Sequence, residues 1–499
     1  MKTLYRVGLL CAALALFLTI VFRALETPFW NMNGARLMPS FAIARGINYY
    51  VLVPPGGPLY SSLYGPMMSI VYLPATLFPS PNSAVLAGAA TTILLCFSAA
   101  AYLHFAPREG GLGAVDALAF LTAGFLMCYL SPLKYSCINI HADGPGLAFA
   151  AVACGALYAD GRASWRIALP ISAVCAVFSV LCKQMFLPVP AALLAYLLAA
   201  EGRQRTLQYM AWLAAAGGSS AAAVLYAYGP EQIYHCLIWI PGHQPWNSAS
   251  RMLSSIQAAR EFLRLSAPVT VLLLASGIYF CASRASWSNT KLRALAARRC
   301  APLLFVGFAL LPFSIAGRAK IGGDINSLSF ALFFFTCGLT VMLADVARRA
   351  ENAAIRRLAI AVLAGVIIPL AISETPLAAE IPSLIRELPH SDQATALAYL
   401  ERHPGGAYFP WFPISHFYAE RQFRHFAFGV LDRVAAGETI TDEQFRAYIP
   451  KDPQVIAFGK DGTRDMFGFN LMRFLPEYTT QTANAELPGW VTYTKAAGQ

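Results

Sequence analysis

The sequence has little charge for its length. Only 13% of its 499 residues are Asp, Glu, Lys or Arg, about half of the roughly 25% that soluble domains carry, whereas 57% are hydrophobic. This composition excludes an ordinary soluble globular protein. Apolar runs close to 20 residues recur along the chain, and each can cross about 30 Å of hydrocarbon. The sequence therefore predicts a multi-pass membrane protein in a lipid bilayer.

Common cofactor signatures are missing as well. The chain contains no Walker loop, no GxGxxG that opens a strand–helix unit and no HExxH. It has no CxxC pair and no cysteine after Cys337, and most of its cysteines lie in apolar runs, where a thiol behaves as a small hydrophobe. His235 and His243 stand in IYHCLIWIPGHQPWN, which is typical of an aromatic interfacial loop. We expect no cofactor, no metal site and no disulfide framework, and nothing indicates a divalent cation.

The net charge of +11 does not indicate a nucleic-acid partner. The cations cluster in short loops between apolar runs, as in KLRALAARR (291–299) and RRAENAAIRR (348–357). The positive-inside rule explains such clusters as cytoplasmic loops. Lys2 and Arg6 likewise place the N-terminus in the cytoplasm, ahead of a retained signal anchor. We expect no nucleic-acid binding.

Twelve apolar segments are candidates for membrane helices. They are 7–22, 64–79, 83–103, 112–130, 143–159, 167–182, 185–200, 209–228, 267–283, 301–316, 325–346 and 358–373. If all of them cross, loop 131–142 is cytoplasmic, yet the basic loop at 162–166 places it outside. One early segment must then fail to cross, and 64–79, which contains three prolines, is the candidate for a re-entrant segment.

Two stretches have the composition of soluble sequence. Residues 23–63 form a first outer loop, in which GARLMPSFAIARG suggests an interfacial amphipathic helix. Residues 374–499 contain a capped helix in SDQATALAYLERH and short strands in GAYFPW, QVIAFG and WVTYT. We predict an all-α polytopic bundle of about 11–12 hydrophobic helices over 1–373, followed by a small extracytoplasmic α/β domain over 374–499.

The most polar residues of the apolar region stand at the outer mouth of segment 325–346, in RAKIGGDINSLSFALFFF (318–335). Arg318 and Lys320 can clamp a phosphate at the membrane surface, and the following helix N-terminus favours an anion. A plainer interpretation is that Asp324 caps its helix and the cations extend to lipid headgroups.

Two further clusters are expected on the same outer side. Asp143 opens an apolar helix two residues after His141, and Lys183 stands between two apolar segments. An ionisable residue at that depth is costly unless it faces protein, water or a headgroup. Asp143 can orient or deprotonate an acceptor hydroxyl or simply cap its helix, His141 can be an interfacial hydrogen-bonding residue, and Lys183 can reach water at a hairpin tip.

In this order, the clusters resemble motifs of the bacterial GT-C superfamily of polytopic glycosyltransferases, which take sugars from polyprenyl-phosphate carriers. ARGINYYVLVPPGGPLYSSLYGP (44–66) is similar to the superfamily's A…G…Y…P…YxP pattern, and HADGPGLAFAAVACGALY (141–158) to its RPD-lal-GL segment. CKQMFLPVPAALLAYLL (182–198) resembles a tKQ segment, and KIGGDINSLSFAL (320–332) a KxGsxxNYfle segment that contains Asn326. The resemblance covers most of residues 1–373.

The resemblance implies a membrane glycosyltransferase in a bacterial inner membrane, with an extracytoplasmic C-terminal domain. Its partners would be a polyprenyl-phosphate sugar and a glycan or lipid acceptor of the envelope. His141, Lys183, Arg318, Lys320, Asp324 and Asn326 would bind substrate, and the phosphate of the carrier would be the leaving group. An acceptor hydroxyl would attack the anomeric carbon with the help of a carboxylate base.

One departure from the superfamily concerns that base. The superfamily usually has an acidic residue in the first outer loop, and spacing back from Gly46 puts Met32-Asn33-Gly34 at that place. An amide is no base near neutral pH, so either Glu26 or Asp143 takes over or the transferase activity has been lost. Alternative functions are a transporter or flippase of lipid-linked sugars and a non-catalytic glycolipid-binding membrane protein.

Overall fold

The structure is a computed structural model that describes residues 2–52, 56–105, 113–157, 165–272, 274, 299–350, 352–460, 465–466 and 469–495. Its α-helices are Lys2–Glu26, Asn31–Ala44, Pro66–Val71, Pro81–Phe105, Ala114–Tyr129, Ser131–Ile138, Asp143–Leu157, Trp165–Cys182, Pro188–Ala200, Arg203–Tyr228, Pro230–Tyr234, Ile240–His243, Arg251–Leu265, Cys300–Ala319, Ser329–Arg349, Ala353–Glu374, Ile381–Glu387, Asp392–Arg402, Pro413–Glu420, Ala427–Ala435 and Asp442–Arg446. Shorter 3₁₀ and π elements, such as Gln184–Phe186 and Ile325–Leu328, join several of them.

Among the described residues, seven helices are long and apolar enough to cross a membrane, or eight if one bent pair forms a single span. Two predicted segments instead form shorter apolar helices, Asp143–Leu157 and Gln184–Ala200. Most of predicted segment 267–283 lies outside the described residues, as do the N-terminal eight residues of the basic loop 291–299. The prediction of a polytopic helical bundle is confirmed.

The chain divides into two compact units. The first comprises residues 1–23, 92–223 and 246–380, and the second comprises residues 24–91, 224–245 and 381–499. The two units are defined by the contacts that residues make in the structure, whereas the predicted boundary between 373 and 374 was drawn from the composition of the sequence. That boundary therefore stays a prediction.

Helix Ser329–Arg349 is the centre of the first unit. Its residues from 329 to 347 are all buried, and it packs against Cys300–Ala319, Ala114–Tyr129 and Ala353–Glu374. A helix that is apolar all round has no polar face to expose and belongs at the centre of a bundle. The run SFALFFFTCGLTVML therefore accounts for this position.

Segment 64–79 agrees with the prediction that it does not cross, and loop 131–142 differs from its prediction. Segment 64–79 folds as the six-residue helix Pro66–Val71 and the 3₁₀ helix Leu73–Leu77, and six helical residues span only about 9 Å. It is thus too short to cross a bilayer, in agreement with its prolines. Loop 131–142, predicted as a polar loop, contains the helix Ser131–Ile138, which is bent by 94° from the preceding helix Ala114–Tyr129. That expectation of a plain loop was wrong.

The first outer loop contains a helix, but not an interfacial one. GARLMPSFAIARG lies largely in helix Asn31–Ala44, and nine residues of this helix are buried, on all its sides. A helix that rests on a membrane surface must keep one apolar face for lipid. Here both faces are covered within the second unit, for example by the ring of Phe417 on Phe41. The helix was predicted correctly and its place at the lipid surface was not.

The second unit also contains the predicted strands. β1 (Ala407–Tyr408), β2 (Val455–Phe458), β6 (Val491–Thr494) and β5 (Thr480–Thr482) form a sheet in that order, and β3 (Asp465–Met466) pairs with β4 (Phe469–Asn470). β1 and β2 are parallel, whereas β6 is antiparallel to both of its neighbours, with Ile456 opposite Tyr493. Helix Asp392–Arg402 is capped by Ser391, as predicted. The small α/β portion near the C-terminus is confirmed.

Candidate functional site

The first unit contains a buried ion pair between two of the predicted site residues. Lys183 Nζ donates to Asp143 Oδ1 over 2.8 Å, and the side chains are 10% and 0% exposed. Two charges are taken out of water only where their mutual attraction and further hydrogen bonds offset the cost. The pair therefore needs additional partners around it.

Asp143 Oδ2 receives those partners. Asn326 Nδ2 donates to it, His141 Nδ1 lies 2.8 Å away, and Ser136 Oγ lies 3.2 Å away. His141 Nδ1 also accepts a hydrogen bond from the backbone N–H of Asp143 over 3.3 Å. We call Asp143, Lys183, His141, Asn326 and Ser136 the Asp143 cluster. The sequence brought the first four forward in three separate clusters, with His141 and Asp143 in the same one, and the fold places them together.

Two glycines explain why the cluster can close. A Cβ on Gly146 would lie 2.3 Å from the ring of Phe186, and a Cβ on Gly144 would lie 2.7 Å from the carbonyl oxygen of Ser136. Only glycine allows such close approach. Helix Asp143–Leu157 can therefore pack against the turn that holds Lys183 and against the helix that holds Ser136.

The ammonium of Lys183 has a second contact. It lies 4.9 Å from the centroid of the Phe330 ring, a distance at which the face of an aromatic ring attracts a cation. Its side chain is 10% exposed, so the ammonium is oriented by the protein and the side chain keeps slight exposure. Such a fixed cation can recognise a phosphate.

Arg318 is engaged by a carboxylate that the sequence analysis did not single out. Its Nε lies 2.7 Å from Glu261 Oε2, and its Nη2 lies 3.4 Å from Glu261 Oε1. Its Nη1 donates to the carbonyl of Gly323 over 3.0 Å. The guanidinium is thus neutralised by a two-pronged ion pair, and a phosphate at Arg318 must compete with Glu261.

The remaining residues of 318–335 have more local contacts. Asp324 is exposed and accepts from the backbone N–H of Ile325, which caps the 3₁₀ helix Ile325–Leu328. Lys320 Nζ lies 5.7 Å from the Trp246 ring centroid. Burial and the nearby charge of Arg251 lower the pKa of Lys320. Asp324 therefore caps a helix, which was the plainer interpretation of this residue. Lys320 lies beside a second cation, Arg251.

The second unit holds the other candidate base. Glu26 is half-buried and ends helix Lys2–Glu26, directly before the 3₁₀ helix Thr27–Phe29. Asn33, for which the sequence resemblance leads us to expect an acid, is fully buried and donates its amide to the carbonyl of Thr27 over 2.9 Å. The amide therefore has a structural contact that a carboxylate, which is an acceptor only, does not reproduce.

Within the part of the chain that the structure describes, no three His, Cys, Asp or Glu side chains form a group that can hold a metal ion. His235 pairs with Glu438, and His243 Nδ1 lies 2.8 Å from the carbonyl of Trp239. Both histidine rings stack on Trp239. These two histidines therefore contribute to an aromatic stack.

Sequence reasoning missed Glu261 and Ser136. Glu261 had a detectable signal, because it is the only carboxylate in RMLSSIQAAREFLRL, the sequence of helix Arg251–Leu265. Ser136 had none, since a serine in an apolar helix is ordinary and its distance from Asp143 depends on the turn at 139–142, between helices Ser131–Ile138 and Asp143–Leu157.

Comparison with known proteins gives a match in fold. No protein-family model matches the sequence, and no curated protein matches it. The solved structure of ArnT from Cupriavidus metallidurans bound to undecaprenyl phosphate superposes with a TM-score of 0.57 and 13% identity over 98% of either chain. The apo structure of the same ArnT gives a TM-score of 0.54 and 14% identity over 99% of this chain and 98% of that chain. ArnT is a GT-C glycosyltransferase, so the predicted GT-C-like membrane fold is confirmed.

Proposed function

We propose that the protein is an integral membrane glycosyltransferase that transfers a sugar from a polyprenyl-phosphate carrier to a glycan or lipid acceptor of the bacterial envelope. The Asp143 cluster is the observation that carries this proposal, because it presents a fixed cation at a site built from three separate chain segments. The fold supports it, since an ArnT of the same fold binds undecaprenyl phosphate. The bacterial inner membrane and an extracytoplasmic C-terminal portion belong to the same proposal.

Lys183 is the proposed phosphate-binding residue. Asp143 fixes its ammonium over 2.8 Å, and Asn326 and His141 fix Asp143 in turn. A preorganised cation stabilises the negative charge that develops on a leaving phosphate. Arg318 and Lys320 are proposed to assist at the same phosphate once Glu261 has exchanged partners, and Asp324 to hold their loop through its cap.

The hydrogen-bond partners of Asp143 bear on the choice between the two candidate bases. Asp143 accepts from Lys183 and Asn326, and His141 and Ser136 are also within hydrogen-bonding distance. A base must have an oxygen available for the acceptor proton, so Asp143 is better suited to position Lys183. We propose Glu26 as the base, because it is the only carboxylate in the sequence of the first outer loop, 23–63, where the superfamily usually has its acid. The acceptor oxygen then bonds to the anomeric carbon, its proton passes to Glu26, and the bond from the anomeric carbon to the phosphate oxygen breaks.

One observation favours a second candidate function. The amide of Asn33 is buried and hydrogen-bonded at the place where the superfamily has its acid. A protein that binds lipid-linked sugar without transferring it would need the phosphate site and no base. A non-catalytic glycolipid-binding protein is therefore the alternative, and a transporter has no specific observation in its favour.

The decisive experiment is sugar transfer from labelled polyprenyl-phosphate sugars by the purified protein in lipid nanodiscs. We expect Glu26→Gln to abolish transfer and keep donor binding, and Lys183→Gln to weaken donor binding. Glu401→Gln, an exposed change on helix Asp392–Arg402, is the matched control and should leave both unchanged. Donor binding without transfer by the wild type would select the binding protein, and absence of donor binding would overturn the proposal.

A further inference from the structure

Helix Arg251–Leu265 has three different faces. One face consists of the buried residues Ser254, Ala258 and Phe262. They follow one another at spacings of four residues and therefore lie on one side of the helix. The helix packs with this side on Cys300–Ala319, one of the helices apolar enough to cross a membrane. The helix is thus held against a membrane span along its length.

The adjoining face is apolar and exposed. Met252 is 73% exposed, Ile256 40% and Leu263 66%, and spacings of four and seven residues place all three on one side of a helix. An exposed apolar stripe of this kind is costly in water. The surface that covers this stripe should therefore be apolar.

The third face is basic. Arg260 and Arg264 are exposed and one turn apart, and Arg260 follows Ile256 by one turn, so the cations border the apolar stripe. Lys and Arg on the polar face beside an apolar face characterise helices that lie in the membrane interface. A second copy bound through the same stripe in a symmetric pair would bring arginines towards arginines. Charge complementarity therefore favours an anionic lipid surface.

The residues directly before the helix are also typical of a membrane surface. Trp246, four residues before the cap Ser250, lies 5.6 Å from the guanidinium carbon of Arg251 and 5.7 Å from Lys320 Nζ, measured to a ring centroid. Tryptophan is enriched at the headgroup level of membranes. Two cations that share one indole ring repel each other, and a lipid phosphate between them would relieve that repulsion.

We propose that helix Arg251–Leu265 lies in the headgroup layer of the membrane, with Met252, Ile256 and Leu263 in the acyl boundary and Arg260 and Arg264 on the phosphates of anionic phospholipids. The proposal rests on the surface of the first unit and does not depend on the proposed transferase function. It also gives Glu261 a role, since the helix that touches the lipid surface carries the carboxylate that pairs with Arg318.

The position of the apolar stripe can be tested with a photocrosslinker. Benzoylphenylalanine is placed at Met252, at Leu263 or, as the control, at Gln257, which is exposed on another side of the same helix. The protein is reconstituted into nanodiscs that contain phospholipid radiolabelled in its acyl chain. We expect labelling at Met252 and Leu263 at least five times that at Gln257. Equal labelling at all three sites, or crosslinking to a second copy of the chain, would overturn the proposal.

The preference for anionic lipid is a separate measurement. Nanodiscs of mixed phosphatidylglycerol and phosphatidylcholine are used, and the lipids retained by the protein are counted after extraction. Each cation near an anionic surface strengthens binding roughly fivefold, so R260Q/R264Q should weaken the preference for phosphatidylglycerol about 25-fold. The control R386Q/K451Q removes two exposed cations from the second unit and should keep it. An unchanged preference in R260Q/R264Q would refute the role of the arginines.

Discussion

Lys183 and Asp143, which are 40 residues apart in the chain, form an ion pair over 2.8 Å with almost no exposure to solvent. A buried pair of this kind fixes geometry more reliably than it adds stability. The ammonium cannot turn away from its place without losing the carboxylate, so its direction is set before any phosphate arrives.

The first prediction concerns this pair. Asp143→Asn keeps the shape of the side chain and leaves a buried ammonium without its counter-charge, which costs about 3–5 kcal/mol. We expect a large loss of stability, and the double variant Asp143→Asn/Lys183→Gln should recover part of it because no unpaired charge is left. The measurement is denaturant unfolding in detergent for both single variants and the double variant.

Asp324→Asn is the matched control for that series. It removes an acidic charge from an exposed cap, and asparagine caps helices as well as aspartate does, so the change in unfolding free energy should stay within about 0.5 kcal/mol. Additive effects of the two cluster variants, without recovery in the double variant, would contradict the ion pair.

The second prediction concerns Glu261. Its carboxylate occupies the guanidinium of Arg318 at distances of 2.7 and 3.4 Å, so Glu261→Gln should make Arg318 available to a phosphate. Because the two side chains are 27% and 22% exposed, the solvent-screened pair is worth at most about 1 kcal/mol, and affinity for polyprenyl phosphate should rise about two- to fivefold. Binding is measured by titration in nanodiscs, with Glu401→Gln as the control. A weaker or equal affinity would show that Arg318 does not meet the phosphate.

The third prediction concerns pH. Asp432 is buried in the second unit, where Ser61 and Gln244 donate to its two oxygens, and burial raises its pKa to about 7. The folded state then holds a proton between pH 4 and 7 that the unfolded state has released, so stability falls as pH rises through this range. The slope is at most about 1.4 kcal/mol per pH unit.

Asp432→Asn cannot ionise and isolates this effect. The stability of the wild type relative to the variant should decrease from pH 5 to pH 8, as measured by thermal unfolding of both proteins across the range. A constant difference between the two proteins would mean that Asp432 has an ordinary pKa.

The fourth prediction concerns Gly429 in the second unit. A Cβ at this position would lie 2.5 Å from the backbone carbon of Tyr60, and backbone cannot move aside as a side-chain end can. Gly429→Ala should therefore destabilise the protein by about 1–3 kcal/mol. Gly242→Ala, where nothing lies within 4 Å of the added Cβ, is the control in the same unit and should be close to neutral. Equal stability of the two variants would contradict the packing at Gly429.

Local patterns predicted local structure well. The cap and apolar spacing of SDQATALAYLERH gave helix Asp392–Arg402, and the three prolines of 64–79 signalled a segment too broken to span. Both depend on residues that are close in sequence. The buried position of Asn31–Ala44 could not be predicted, because its apolar residues meet partners such as Phe417 that lie hundreds of positions away.

The candidate site shows the same limit. Each charged residue stood out because ionisable groups are rare in apolar sequence, which is why Asp143, Lys183 and Arg318 were found. Their partners could not be assigned, because a hydroxyl such as that of Ser136 is unremarkable until a fold places it beside a carboxylate, and Asn326 was predicted to bind substrate and not to pair with Asp143.

The sequence by itself determined that the chain is a polytopic membrane protein with a small α/β portion, since hydropathy and local periodicity depend only on neighbouring residues. Tertiary structure alone decided that Lys183 pairs with Asp143 while Arg318 pairs with Glu261. Both choices depend on distances between segments far apart in the chain, and a charge takes the partner that the packed helices bring within 3 Å.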